Sequence, residues 1–343
     1  MSATFEIGKH CIGGSKTFII AEIGSNHNQS YELAIQSIDA AIDAGADAVK
    51  FQSIKVDELY YDPSPEIINL HKKIDFDESW HQLLSDYCSK KGIIFFSAPT
   101  YMKAVDLLED VDVPLYKLAS AQIGTFPQLV EKVIKTGKPV ILSTGIVNFF
   151  ELKKVIQLFE KFNNNQFVIL HCNSIYPTPF DKVHLPVMKM ISKEFNCLVG
   201  FSDHTPGDTA PIAAVAMGAK VIEKHFALSR NLPVPDAPFS LEPIEFRSMV
   251  DKIRQVEEML VFNDRANLHN EEQEFKNGIK SRLVSKKILK AGAYVNKDDF
   301  HFLRHPSGVD ARELNEIIAK KARYKRNISA DFPINKDDLE GLE

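Results

Sequence analysis

Eight short runs rich in β-branched and aromatic residues recur along the chain between residues 17 and 226. They read "TFIIAEI" (17–23), "ADAVKFQ" (46–52), "GIIFFSA" (92–98), "PLYKLAS" (114–120), "KPVILST" (138–144), "QFVILHC" (166–172), "CLVGFSD" (197–203) and "AKVIEKHF" (219–226). Between them lie longer stretches such as "SYELAIQSIDAAIDAGA" and "TPGDTAPIAAVAMGA", with apolar residues at helical spacing and a glycine closing the helix before the next strand. Eight strand–helix units in about 250 residues predict a (β/α)8 TIM barrel. The rival is a doubly wound open sheet, which would more usually carry a glycine-rich phosphate loop after an early strand. "EIGSNHN" does not fit that pattern.

A helix over 243–261, "PIEFRSMVDKIRQVEEMLV", would close the barrel domain at residues 1–262. Residues 263–280 are polar and asparagine-rich and read as a linker. Residues 281–343 form short strand-like runs with turns, a small β-rich domain in which "AYVNKDDF" (293–300) recurs loosely as "FPINKDDL" (332–339). The total of 343 residues, 44% hydrophobic and 25% charged, suffices for a large core plus a smaller one and excludes a disordered or fibrous chain. Lys and Arg number 41 against 46 Asp and Glu, a formal charge of −5 that offers no basic field for nucleic acid. The four cysteines form no CxxC pair, no signal-like segment opens the chain, and no apolar stretch nears the roughly 20 residues that cross a bilayer. A cytoplasmic, small-molecule protein is the expectation.

Barrel enzymes draw their sites from the C-terminal ends of the strands. Taken in order, those ends offer Glu22, Lys50, Gln52, Ser97, Lys117, Ser120, Ser143, Ser202, Asp203, His204, Glu223 and His225, with Ser174 and Tyr176 just beyond the sixth run. Residues two apart share a face of a strand, so Lys50 points with Gln52, Ser202 with His204, and Glu223 with His225. Lys224 is expected on the helix side, its ammonium reaching solvent. His204 and His225 can then approach one divalent ion, Mn²⁺ foremost, with Mg²⁺, Co²⁺ or Zn²⁺ as alternatives. The plainer reading is that each imidazole caps its strand by a hydrogen bond. Lys50 and Lys117, with Ser120, Ser143 and Ser202, make a ring of donors suited to a phosphate and a carboxylate, both of which phosphoenolpyruvate carries. Glu22 and Glu223 are either acid/base groups or ion-pair partners for the lysines, and Cys172 is expected to pack as a small apolar residue.

In this order and spacing, "FIIAEIGSNHNQS", "AGADAVKFQ", "YKLAS", "ILSTG", "HCNSIYPTPF", "VGFSDHT" and "VIEKHF" resemble the sialic acid synthase family, and the C-terminal stretch resembles its antifreeze-like (SAF) domain. The resemblance implies condensation of phosphoenolpyruvate with an N-acylated hexosamine to a nine-carbon 2-keto-3-deoxy acid and phosphate. The acceptor would be N-acetylmannosamine or a diacetamido-trideoxy hexose of the legionaminic or pseudaminic kind. It further implies a metal on His204 and His225, phosphate on Lys117, Ser120, Ser143 and Ser202, carboxylate on Lys50, and sugar at Gln52, Tyr176 and Asp236. Glu22 and Glu223 would manage protons. Also implied is a domain-swapped homodimer in which Arg304, or His305 beside it, caps the partner's barrel. The chain departs from the family pattern at Gln122, where many members carry an acid, at Ala98, at Ser174, and in "LRHPSG", where His305 replaces the usual arginine. Two other readings stay open: a 3-deoxy-keto-acid synthase acting on a phosphorylated aldose, and a non-catalytic sugar-binding relative.

Overall fold

A computed structural model describes residues 4–343, which divide into two compact units between Val261 and Phe262. In the first unit the eight runs form eight parallel strands: β1 (Phe18–Gly24), β2 (Ala48–Ser53), β3 (Ile94–Pro99), β4 (Tyr116–Leu118), β5 (Val140–Ser143), β6 (Phe167–Cys172), β7 (Leu198–Asp203) and β8 (Val221–His225). Every neighbouring pair from β3 back through β1 to β8, and on round to β4, is hydrogen-bonded in parallel register. β3 and β4 lie side by side and complete the ring. The fold is a nearly closed (β/α)8 barrel.

Each strand leads into a helix that returns the chain: α1 (Tyr31–Asp43), α2 (Trp80–Lys91), α3 (Met102–Asp110), α4 (Pro127–Lys135), α5 (Phe149–Lys161), α6 (Val187–Phe195), α7 (Thr209–Ala216) and α8 (Pro243–Met259). The local signals match. Ser30 and Asn148 cap α1 and α5 through their side chains, and Gly92, with a φ of 76°, lets α2 turn sharply into β3.

Alternation along the strands divides the apolar residues into two cores. Outward positions such as Ile19, Ala21, Val49, Phe51, Leu142 and Ile222 pack beneath the helices. Inward positions at the strand starts, among them Phe18, Ile20, Ala48, Phe96, Ile141 and Val221, fill the barrel's lower half. A hairpin of Phe5–Ile7 and His10–Ile12 adds Phe5, Ile7 and Ile12 to that inner cluster and so plugs the barrel from below. Two residues further along, the inward row turns polar. That change places the site at the strand ends.

The second unit holds two helices, α9 (Asn270–Gly278) and α10 (Leu314–Ala319), and two small antiparallel pairs, β9 (Ser281–Ser285) with β10 (Phe300–Arg304) and β11 (Arg323–Tyr324) with β12 (Leu339–Glu340). α9 lies within the stretch read as a linker; a capping box between His269 and Glu272 starts it, and none of its residues is buried. The loose sequence repeat is a structural repeat. Asn296 and Asn335 each open a short 3₁₀ turn with a reciprocal Asp299 or Asp338 contact, and each turn leads into a strand.

Candidate active site

Four charged side chains rise from the inner wall and meet in an alternating chain. Glu22, on β1, lies 3.1 Å from Lys50 Nζ, and Lys50 lies 3.3 Å from the Oε2 atom of Glu223. The other Glu223 oxygen accepts from Lys117 Nζ at 2.8 Å and from Ser202 Oγ at 2.9 Å. All four charges are buried. Burial works against every one of them, and the neighbours decide the outcome. Burial pushes Glu22 up to about 7, against the pull of Lys50. For Glu223 burial is outweighed by Lys117 and Lys50, which hold its carboxyl well below the usual range. Lys50, between two carboxylates, is raised despite its burial, whereas Lys117 is lowered by burial, with the single carboxylate of Glu223 opposing. The two carboxyls that share Lys50 are thus pushed in opposite directions, Glu22 up and Glu223 down.

Around this chain lie the predicted hydroxyls. Ser143 Oγ is buried without a partner, and Ser120 Oγ lies 3.1 Å from Ser174 Oγ. Gly145 leaves them room, since a Cβ there would stand 2.1 Å from Ser174 Oγ and 3.0 Å from Ser120 Oγ. Gly24 does the same on the other side: its φ is +54°, and a Cβ would lie 3.1 to 3.3 Å from Glu22, Gln52 and Asp236 together. Gln52 Nε2 donates to Glu22 Oε1 at 2.6 Å.

The imidazoles of His204 and His225 face each other with ring centroids 5.4 Å apart. His204 Nδ1 lies 2.8 Å from the Asn173 carbonyl, the geometry of an N–H donor, which leaves its Nε2 lone pair free. His225 Nδ1 is buried with no hydrogen-bond partner, 3.8 Å from Asp236 Oδ2. Burial lowers both imidazoles, and for His225 the neighbouring His204 adds to the effect, so both are neutral near pH 7. Neutral rings with unused lone pairs fit a divalent metal. Among the described residues no third His, Cys, Asp or Glu joins them closely enough to make a three-ligand cluster.

Above the imidazoles opens a cavity of 960 Å³ whose lining includes Gln52, Tyr176, His225 and Asp236. The Tyr176 ring lies tilted against that of His204, centroids 4.2 Å apart, and Phe239 lies 5.0 Å from the His225 ring. Burial pushes the Asp236 carboxyl up to about 6.

A family pattern covers most of the barrel: residues 37–264 match the NeuB family. The chain belongs to the NeuB family. An uncharacterised protein of Methanocaldococcus jannaschii is 39% identical over 98% of this chain and 98% of its own. A pseudaminic acid synthase of Campylobacter jejuni is 35% identical, covering 90% of this chain and 92% of that protein. The solved N-acetylneuraminic acid (sialic acid) synthetase of Leptospira borgpetersenii, in complex with citrate, matches with a TM-score of 0.74 at 33% identity, over 81% of this chain and 97% of that one.

Within this NeuB-family barrel the structure gathers Glu22, Lys50, Gln52, Lys117, Ser120, Ser143, Ser174, Tyr176, Ser202, His204, Glu223, His225 and Asp236 at one end. Arg304 belongs to the second unit, exposed at the end of β10, and His305 beside it bonds to the Ser307 carbonyl. Two of the polar strand-end residues, Ser97 and Asp203, fall outside the site, and the expectation for Lys224 is corrected. Ser97 turns outward, where its hydroxyl lies 2.8 Å from Ser53 Oγ, itself 2.8 Å from His81 Nε2 on α2. Asp203 also faces outward. Lys224 does point toward the helices but never reaches solvent: it is wholly buried and pairs with Asp203 at 2.6 Å. Alternation assigns these faces but does not say what waits there.

One residue not singled out in the sequence, Asn26, buttresses this end of the NeuB-family barrel. Asn26, wholly buried after β1, donates to the Phe226 carbonyl at 2.9 Å and to Ser240 Oγ at 3.0 Å, and Ser240 donates to the Asp236 carbonyl. It pins the proline-rich loop that carries Asp236. Cys172 packs as expected, but at the site, 3.9 Å from His204 Nδ1, with burial pushing its thiol up to about 11. The Gln122 carboxamide oxygen is buried without a partner. In "EIGSNHN" Asn26 stands two residues past the end of β1, and nothing local to that stretch marks its partners.

Proposed function

We propose that the chain condenses phosphoenolpyruvate with the open-chain aldehyde of an N-acylated hexosamine, forming a nine-carbon 2-keto-3-deoxy acid and phosphate. The observation that carries the reading is the buried pair of ammonium groups on either side of Glu223, ringed by serine hydroxyls and lying under two unprotonated imidazoles. Two cations with hydroxyl donors suit a ligand with a phosphate and a carboxylate. Lys117 with Ser120, Ser143 and Ser202 receives the phosphate, and Lys50 the carboxylate. Gln52, Tyr176 and Asp236 orient the sugar.

In the reaction C3 of the enol forms a bond to the aldehyde carbon, whose oxygen takes up a proton. The C2–O bond to phosphate breaks after water has added at C2, the new C2 hydroxyl becoming the ketone as its proton leaves with the phosphate; the water's other proton is released on addition. Glu22, poised near neutrality, is the group that can give and take back that proton. Glu223 stays ionised and keeps both lysines in place. His204 and His225 would hold the divalent ion, Mn²⁺ first, with Mg²⁺ or Co²⁺ as alternatives. Bound there, it supplies Lewis-acid polarisation of a carbonyl oxygen.

The outer wall of the cavity supports one kind of acceptor over the other, although Arg230 and Glu245 also line it. Tyr176, Pro177, Pro206, Pro235, Pro238 and Phe239 make it largely apolar, which suits the methyl and second acetamido group of a diacetamido-trideoxy hexose better than a hydroxymethyl group. The same reading carries a homodimer, whose mass sedimentation equilibrium reads directly. Phosphate release from phosphoenolpyruvate, measured with N-acetylmannosamine and with diacetamido-trideoxy hexoses, is the test. Release that depends on an acylated hexosamine is expected; a protein that binds phosphoenolpyruvate yet turns over none of them refutes the reading.

A further inference from the structure

We propose that the buried ion pair of Asp203 and Lys224 is the positioning device that sets His204 and His225 face to face. The inference rests on the reading of those imidazoles as metal ligands. The pair lies outside the barrel wall, with both side chains 0% exposed and Lys224 Nζ 2.6 Å from Asp203 Oδ2. Each partner is the immediate neighbour of one histidine. Because faces alternate, an outward Asp203 and Lys224 force His204 and His225 inward.

The contacts fix more than the side of the sheet. Asp203 Oδ1 accepts from the Thr205 amide at 2.8 Å and Oδ2 from the Thr205 hydroxyl at 3.1 Å, a turn that closes around residue 204. Lys224 Nζ donates both to that carboxylate and to the Thr205 carbonyl. The chain on either side of His204 is therefore tied to the residue that precedes His225. The tie falls where it is needed: the β7–β8 ladder ends at the pair Lys224 and Asp203, and past it the backbone carbonyls of His204 and His225 accept from other loops, Thr178 and Leu241. His225 keeps its register with Glu22 of β1, whereas His204 has no ladder partner. The ion pair is what ties the turn around His204 to β8.

A dry ion pair is a poor means of stabilising a fold, since apolar residues of similar volume commonly serve as well. That property separates positioning from mere support. In the full-length double variant Asp203→Asn/Lys224→Met, the charges go while volume and the turn acceptor remain. Three quantities are read: melting temperature, Mn²⁺ affinity from the free-ion electron spin resonance signal, and the metal-free ¹⁵N resonances of the two imidazoles. A folded variant should bind Mn²⁺ about 10- to 100-fold more weakly, the usual effect of losing a group that orients a ligand, with shifted imidazole resonances. Parental affinity with unmoved resonances overturns the proposal. Should the double variant fail to fold, Thr205→Val, which removes one hydroxyl from Asp203, should weaken Mn²⁺ about 10-fold, and no change in affinity or resonances overturns it likewise. If the parent itself binds no Mn²⁺, the metal reading fails, and the imidazole resonances alone decide whether the pair positions the rings.

Discussion

Lys117→Met removes one ammonium from the charged chain while keeping most of the stem. At an effective dielectric constant near 20, unit charges at the 2.8 Å of Lys117–Glu223 attract by about 6 kcal/mol, and at the 3.3 Å of Lys50–Glu223 by about 5 kcal/mol. Glu223 therefore keeps nearly half of its cationic support, together with the Ser202 hydroxyl. The stability loss should fall at the low end of the roughly 3–5 kcal/mol for breaking a buried pair. With about 2–4 °C per kcal/mol for a large domain, the melting temperature should drop by about 6–12 °C. Phosphate loses one charge-assisted hydrogen bond, worth about 1.5–3 kcal/mol. At about 1.4 kcal/mol per decade, KM for phosphoenolpyruvate should rise about 10- to 100-fold. The sugar contacts proposed above lie elsewhere, on Gln52, Tyr176 and Asp236, so KM for the aldehyde should move little. Steady-state phosphate release with each substrate varied in turn measures both. Equal changes in the two KM values would refute the assignment of Lys117 to phosphate.

His225→Ala should abolish condensation yet leave the barrel folded, because its Nδ1 has no hydrogen-bond partner to lose; circular dichroism beside a turnover assay checks this, and an active variant contradicts it. Treatment with a chelator should stop phosphate release and added Mn²⁺ should restore it, whereas full activity in excess chelator would remove the metal from the reaction. Gly145→Ala puts a methyl 2.1 Å from Ser174 Oγ, so that hydroxyl and Ser120 must move. Overpacking of this kind costs about 1–3 kcal/mol, and weaker phosphoenolpyruvate binding by calorimetry is expected, with unchanged binding counting against the serines.

The barrel was legible because its strands are covered on both faces and so appear as apolar runs rather than as alternating ones. All eight runs became strands, with ends displaced by a few residues at most. The inward polar row was legible for a related reason: a period of two, started at Phe18, Ala48 or Val221, leads to Glu22, Lys50 and Glu223. What alternation could not give is the partner on the far side. Lys224 looked like a lysine whose stem lies along the helices, since nothing local to "VIEKHF" says that Asp203, 21 positions earlier, is its register mate. Ser97 failed for the same reason, its hydroxyl joined to His81 on α2. The role of Asn26 was hidden because its two partners, Phe226 and Ser240, lie 200 and 214 residues away. Contacts between distant loops leave no periodic trace.

Glu223 gives the final argument, for it is the one member of the charged chain that touches both lysines. Its carboxylate makes two buried ammonium groups tolerable in the free protein, and under the proposed reaction it would compete with the substrate's phosphate and carboxylate for them. Glu223→Gln removes both effects at once. The free protein should lose about 3–5 kcal/mol, since Lys117 is left in the wall without a carboxylate. A bound polyanion then supplies what the side chain no longer does. The rise in melting temperature on adding phosphoenolpyruvate should therefore be larger in the variant than in the parent at equal ligand concentration, because a ligand that binds only the folded state stabilises it by its own affinity. Turnover should fall, as the lysines lose the fixed anion that spaces them. A smaller ligand-induced rise than in the parent would mean that Glu223 contacts substrate directly instead of holding its cations, and the division of labour between the two glutamates would have to be reversed.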